Sequence, residues 1–502
     1  MDQGIDVATQ QGACVKAELA GKLIDIGSEG HIEEAAQKGI EIYESEREHL
    51  KKFVSEASIE YNLGNGKGAL FTIGRTKNSF EFKPETIRLL LDEKNHFWKA
   101  HKLFGLKHDY LRSQLLVNLA NALSYSGRVV EALQYRDMVL KEAPRFPQAN
   151  AGRAHDLLWL HQLSDTYSTE QLRQAMIGFA VASESPDLPS WLTEQWKDKS
   201  AWLSEVLEDH GYSKDHTSHD LKETEREAKT HSRYRQFCLE NHLTLAEHSL
   251  YCNCIGARRD DLSIPKTTKS IGGDFVPRME HVLNRLKSEY ALARLLYYRA
   301  VSQDINNWQT YDEEVTYTEL YEDEAIGTGP EMLRTSFRLC FGVLDKIGRA
   351  VCDLFNLADP TEPIYFESFW RPRGSNLSEK QKQRWSKVNS IENFPLLALY
   401  SQATDLNSHG GEWGIFKTWR NDLEHEMLIL TQSAREPIDI YGTLGGTTST
   451  KRVQHEEFKE KTLHLLQLTR SAIFNFVFCV RHEGEKERGP NEIPIPLNHK
   501  YS

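Results

Sequence analysis

Disulfide chemistry is the first thing the sequence lacks. Its 502 residues hold seven cysteines, at Cys14, Cys238, Cys252, Cys254, Cys340, Cys352 and Cys479. An odd and scattered set excludes a disulfide framework and suits a reducing compartment, so a cytoplasmic protein is expected. Long apolar runs are expected to be missing too: on this reading no window approaches the roughly 18–20 apolar residues of a membrane span, and no membrane partner is expected. The first thirty residues carry acids where a secretory leader carries bases, which leads to the same expectation. Basic excess is also absent. Lys and Arg total 61 against 73 Asp and Glu, a formal net charge of -12. That disfavours coating of nucleic acid by a broad basic face, but it permits a local site that grips one phosphate with one or two cations.

Convincing alternation of apolar and polar residues is missing as well, so a β fold is excluded and an all-α protein is expected. Apolar residues recur instead at three and four. A chain of this length exceeds one compact core. The expected organisation is a segment over 1–30, helical repeats over 31–215, a helical connector and loop over 216–277, and a C-terminal helical bundle with its tail over 278–502. Within the connector, the charged run "KDHTSHDLKETEREAKTHSRYRQF" reads as a solvated helix face.

The clearest repeat signal is "SQLLVNLANALSYSGRVVEALQYRDMVLKEAP". Leu116, Leu119, Ala120 and Leu123 space one helix, Gly127 supplies a turn, Ala132 and Val139 space a second helix, and Pro144 ends it. The stretch resembles a tetratricopeptide repeat, although Arg136 stands where that repeat usually has an aromatic residue. "EASIEYNLGNGKGALF" with "PETIRLLLDEKNHFWKAHKLFG", and "PQANAGRAHDLLWLHQL" with "STEQLRQAMIGFAVASES", read as neighbouring units. Units of this kind stack into a solenoid because none buries its own face alone, and such arrays bind a peptide or another protein.

In the C-terminal third, "GPEMLRTSFRLCFGVLDKIGRAVCDLFNL" is strongly amphipathic, with Leu333, Phe337, Cys340, Leu344, Ile347 and Val351 on one side. "NFPLLALYSQATDLN", "EWGIFKTWRNDLEHEMLILTQ" and "HEEFKEKTLHLLQLTRSAIFNFVFCV" complete an expected four-helix bundle. The loop "REPIDIYGTLGGTTSTKRVQ" between the last two is long enough to be functional.

On the third of these helices, Phe416, Trp419, Leu423, Met427 and Leu430 form a stripe for the core. Taking about 100° per residue, Asn421 and His425 point away from that stripe with Gly414 between them, and Arg420 lies at its edge, able to swing toward His425. A glycine on that face invites the approach of a second helix. A second Arg-x4-His spacing, "REAKTH" at Arg226 to His231, lies in the charged run and not in a bundle helix.

"RNDLEH", Arg420 to His425, resembles the Arg-polar-x3-His motif of the HEPN ribonucleases, and the resemblance covers roughly Arg278 to Val480. It implies a helical bundle that cleaves RNA, transfer RNA among the expected substrates, by attack of the ribose 2′-hydroxyl on the adjacent phosphate. No metal and no cofactor is required for that chemistry. A permanently ionised guanidinium such as Arg420 suits the charge of a phosphorane. Imidazole is the side chain whose ordinary titration lies near neutrality, so His425 suits proton transfer, and Asn421 can orient the ring or donate to phosphate. The resemblance further implies a homodimer in which two motifs meet, and a role in antiphage defence or as a regulated toxin. Asp422 and Glu424 flank the motif and would repel phosphate unless they are turned away or paired.

Weaker candidates accompany these. Lys417 and Lys346 could contact substrate phosphate, although Asp345, Lys346 and Arg349 read first as structural ion pairs. Cys238, His242, His248, Cys252 and Cys254 supply thiols and imidazoles, but "CNC" lacks the usual zinc-ligand gap, so small buried residues are the expectation. "GNGKG", Gly64 to Gly68, follows no strand and reads as a turn between repeat helices; "GTLGGTTSTKR" lacks the phosphate-loop spacing but could close over substrate. The alternative to a nuclease is a non-catalytic interaction or RNA-binding protein of the same architecture, and a zinc-dependent hydrolase is a third.

Overall fold

The structure is a computed structural model that describes residues 7–77, 81–104, 110–164, 168–212, 226–227, 229–264, 276–302, 315–317, 324–370, 378–407, 410–432 and 451–487. Among the described residues, seventeen α-helices stand against two four-residue strands, so the all-α expectation holds. The chain forms two compact units, one of Met1–Ser218 with Trp385–Thr404 and one of His219–Arg384 with Asp405–Ser502.

The first unit is a succession of packed helical hairpins. Helices α1 (Gln10–Gly30) and α2 (Glu33–Ser45) are joined through His31, whose φ of 53° is the left-handed cap that closes a helix. After the single turn α3 (Arg47–Leu50) come α4 (Glu56–Lys77) and α5 (Arg88–Phe104), then α6 (Tyr110–Tyr125) with α7 (Val129–Glu142), α8 (Pro147–Leu163) with α9 (Thr169–Ser183), and α10 (Ser190–Asp209). Gly127 makes the expected turn between α6 and α7 at a φ of +83°.

"GNGKG" is not a turn. Gly64, Gly66 and Gly68 lie inside α4, where a Cβ on Gly64 would stand 2.5 Å from the Phe97 ring and one on Gly66 2.6 Å from Ile40. Their low helix propensity is overridden by the close approach of α5 and α2 that they permit.

Arg136 also has its explanation here. It is buried on α7, where its Nε donates to Asp156 Oδ2 of α8 at 2.5 Å, and Gly152 leaves the space that the guanidinium fills. An ion pair thus takes the place of the aromatic contact.

Of α14 (Glu379–Ser390) and α15 (Phe394–Asp405), the residues Trp385–Thr404 belong to this first unit. This corrects the expectation that the apolar helix "NFPLLALYSQATDLN" packs in the C-terminal bundle. Lys94 Nζ donates to Ser401 O at 3.1 Å and to Thr404 Oγ1 at 3.0 Å, Gln402 Nε2 donates to Glu131 at 2.8 Å, and Phe394 stacks on Trp159. Hydrophobicity alone could not choose between two cores; the buried charges of α5 and α7 could, because they require the hydroxyls and carbonyls that α15 carries.

In the second unit, α11 (Arg233–Glu240) precedes a non-helical stretch with two 3₁₀ turns, Glu247–Leu250 and Ile255–Arg258. Three long helices follow and pack on one another, α12 (Val276–Ser302), α13 (Thr328–Phe355) and α17 (His455–Glu487). All six apolar residues expected to share one side of α13 are buried. Against expectation, an 18-residue window of α17 is apolar enough to cross a membrane by length and composition; 83% of that window is buried within the protein, as in a core helix. The bundle is completed by α16 (Ile415–His425), which packs on α13.

After α16 the chain turns extended. Strand β1 (Leu428–Thr431) pairs in parallel with β2 (Lys451–Gln454), Leu428 opposite Lys451, and Glu324 bridges to Thr431 from the other side. Four residues reading "LILT" are too few to display an alternation, which is why this ladder is invisible in the pattern.

Candidate functional site

The site is built on α16. Phe416 and Trp419 bury one face of that helix against the bundle, their rings 5.8 and 6.2 Å from Phe337, with Phe458 5.5 Å from Trp419. The next buried position on that face is Asp422, only 2% exposed. Because the helix ends at His425, the expected stripe stops early: Leu423 is half-buried, Met427 is exposed, and Leu430 is buried in β1.

Asp422 is therefore turned away from solvent, and Lys451 Nζ at the start of β2 donates to its Oδ1 at 2.6 Å. Lys451 also lies 3.7 Å from Glu426, and its hydrogen bond to Asp422 raises the ammonium above its ordinary range. The acidic neighbour that would repel phosphate is thus paired, while Glu424 remains exposed.

Asn421 and His425 are both exposed, as the face arithmetic requires, and stand one turn apart, about 40° around the helix and about 6 Å along it. Arg420 is half-buried and turned elsewhere. Its guanidinium carbon lies 5.8 Å from the centre of the Phe341 ring and 5.9 Å from that of Tyr365, a cation–π setting on the α13 side. The expected swing toward His425 is not observed, since the two residues are about 140° apart around the helix and the aromatic pair holds the cation. Nor is Gly414 on the open face: it is buried at the N-cap position, ahead of the helix.

Around Arg420 the charges are largely matched. Lys417 pairs with the buried Glu367, and Lys346 pairs with Glu289 at 2.9 Å while donating to Gly342 O at 3.2 Å. Both lysines expected at substrate thus hold carboxylates. Arg349 donates to the carbonyls of Asp359 and Glu362, and the Phe366 N–H donates to Asp345 Oδ1 at 2.9 Å. Burial pushes the Asp345 carboxyl up; that hydrogen bond and the cations Arg420 and Lys417 pull it the other way. A carboxyl displaced toward its neutral form beside an arginine is a common attribute of functional sites.

Sequence reading missed Phe341, Tyr365 and Lys451 as neighbours of the motif. Phe341 lies one turn beyond Phe337 on α13 and could have been placed by helical spacing. Tyr365 sits in the non-helical stretch "PIYFES" and Lys451 begins a short strand far along the chain from the motif, so periodicity carried no signal for either.

Among the other candidates, His248, Cys252 and Cys254 come together, their ligand atoms all within 4.8 Å of one another. Cys238 is buried, its thiol pushed up by that burial, and it and His242 are outside this group. Most of "GTLGGTTSTKR" lies outside the described residues, as does the first half of the charged run that spans Lys214 to Phe237.

Residues 272–483 match the family described as LA2681-like HEPN. The C-terminal part of the chain is therefore a HEPN domain; α12, α13 and α16 fall within the matched residues, and α17 does so as far as residue 483. No curated protein and no solved structure matches the chain.

Proposed function

We propose that this HEPN domain is a metal-independent endoribonuclease, with Arg420, Asn421 and His425 as its working residues. The observation that carries the reading is the presentation of the motif at the end of α16: Asn421 and His425 face solvent, and Asp422 is buried and paired with Lys451. The domain match supports an RNA-directed role.

In the proposed reaction the ribose 2′-oxygen forms a bond to phosphorus and the bond from phosphorus to the 5′-oxygen breaks, leaving a 2′,3′-cyclic phosphate and a 5′-hydroxyl. One proton leaves the 2′-hydroxyl and one reaches the 5′-oxygen. Arg420, which lies beside Phe341 and Tyr365 and away from the His425 of its own chain, stabilises the equatorial oxygens of the phosphorane once two motifs meet or its guanidinium leaves those rings, and Asn421 orients the ring or the phosphate. His425 carries protons, and since each chain offers one imidazole in the motif, a dimer of two motifs supplies both a base and an acid.

The hairpins of the first unit form a tetratricopeptide-like array that binds a protein or peptide and regulates cleavage, in antiphage defence or as a toxin. A cytoplasmic setting fits these roles.

The test is RNA incubated with the purified protein in EDTA, beside Arg420→Ala and His425→Ala. Cleavage by the wild type is expected to fall about 100-fold or more in either variant, the usual cost of removing a transition-state donor or a general acid–base. Intact RNA with the wild type overturns the nuclease reading in favour of a non-catalytic interaction protein. Undiminished cutting by both variants removes these residues from the site. Sedimentation of the protein with RNA tests the dimer, and a strict monomer there refutes a two-motif site.

A further inference from the structure

We infer that His248, Cys252 and Cys254, on the stretch that follows α11, form a zinc site, with His231, just ahead of α11, moving in as the fourth ligand. The sequence argued against it because "CNC" has one residue between its thiols where zinc motifs usually have two or more. The fold supplies what the spacing withholds: the two 3₁₀ turns bring the His248 ring and both thiols together, with His248 Nε2 2.9 Å from Cys254 Sγ and the Cys254 N–H donating to Cys252 Sγ at 3.4 Å. A tetrahedral zinc with Zn–S of about 2.3 Å and Zn–N of about 2.0 Å needs ligand atoms roughly 3.5–3.8 Å apart. The three ligand atoms lie within 4.8 Å of one another, and small side-chain shifts that open the 2.9 Å approach of His248 to Cys254 would form that cage.

Two further features suit a metal. His248 Nδ1 is 3.0 Å from the Tyr251 hydroxyl, the kind of outer hydrogen bond that holds a ligating imidazole in one orientation. His231 is 5% exposed, and its Nε2 lies 3.2 Å from the carbonyl oxygen of Asn253, the residue between the two cysteines. A carbonyl only accepts, so Nε2 carries the hydrogen and Nδ1 is left as a bare lone pair. That Nδ1 is buried with no hydrogen-bond partner among the described residues, and coordination gives it one. His231 is outside the group whose ligand atoms lie within 4.8 Å of one another, so its ring must shift toward the other three to take the fourth position of the tetrahedron.

The site has a structural purpose. Buried arginines already pin this stretch to the bundle: Arg470 Nε donates to Thr244 O at 2.8 Å, Arg481 pairs with Glu247 at 2.7 Å, and Arg294 donates to Leu243 O at 2.7 Å. Those contacts hold the start of the stretch and its first turn. Zinc clips the second turn to the first, through groups that share no residue with the nuclease motif.

The experiment measures zinc in the full-length protein purified after growth in zinc-supplemented medium. One zinc per chain is expected, lost in a Cys252→Ser, Cys254→Ser double variant and kept in Cys238→Ser. Cobalt exchanged into the wild type is expected to show thiolate charge-transfer absorption, and Cys252 and Cys254 are expected to be shielded from alkylation until a strong chelator is added. The alkylation mapping uses the wild type, so it decides even if the double variant does not fold. A zinc content far below one per chain, or alkylation of both thiols at equal rates with and without chelator, overturns the site. Zinc affinity unchanged in His231→Ala overturns the fourth ligand. RNA cleavage is not the readout, so this proposal and the nuclease reading fail separately.

Discussion

Removing Asp156 should damage the first unit more than its single side chain suggests. Arg136 is 2% exposed and Asp156 is fully buried, and they share a hydrogen bond of 2.5 Å. Ser124 donates to the other carboxylate oxygen at 2.6 Å, while among the described residues Arg136 Nη2 donates to the side-chain amide oxygen of Asn121 at 3.1 Å. Asp156→Ala therefore leaves a guanidinium in the interior facing a neutral acceptor. Breaking a buried pair from one side costs about 3–5 kcal/mol. For a unit of this size each kcal/mol moves the melting midpoint by about 2–4 °C, so a fall of roughly 6–20 °C is expected by circular dichroism. The double variant Arg136→Met, Asp156→Leu removes both charges and keeps the volume filled, and should recover most of the loss. A drop below about 2 °C in Asp156→Ala, or a double variant as unstable as the single one, would refute the argument that the uncompensated charge is the cause.

Three more outcomes follow from the same contacts. Burial, with Lys199 and Arg136 beside it, pushes the His155 imidazole down to about 4. The unfolded chain then binds the extra proton between about 6.5 and the folded value, so stability is full above that window and declines as pH falls through it; His155→Gln should flatten the decline in pH-dependent melting. Gly64→Ala should destabilise by about 1–3 kcal/mol in urea unfolding, despite alanine's better helix propensity, because its methyl would press on Phe97; a gain in stability would contradict the close-approach reading. Lys451→Ala strips the buried Asp422 carboxylate of its cation and should lower the urea midpoint, while Glu424→Ala, exposed one turn from Arg420, should leave it nearly unchanged.

Much of the helical framework was legible because amphipathic spacing is local. The apolar side of α13, the paired helices around Gly127, and the outward direction of Asn421 and His425 all follow from a period of 3.6. The readings that failed share a cause. "GNGKG" looked like a turn because glycine is a poor helix former, and nothing local says that Phe97 and Ile40 will press against it. "PLLALYS" looked like any core helix, and only the buried Lys94, Arg128 and Glu131 of the first unit select it. "LILT" looked like more helix, although α16 had already ended.

By itself, then, the sequence determined the helices, the exposed face of the motif and the class of domain that carries it, since these depend on residues close along the chain. Tertiary structure alone decided that Arg420 lies beside Phe341 and Tyr365, that Asp422 is paired with Lys451, and that His248 meets Cys252 and Cys254. Each of those depends on which separate segments share a buried space, where an unpaired charge or lone pair is costly and a partner must be found.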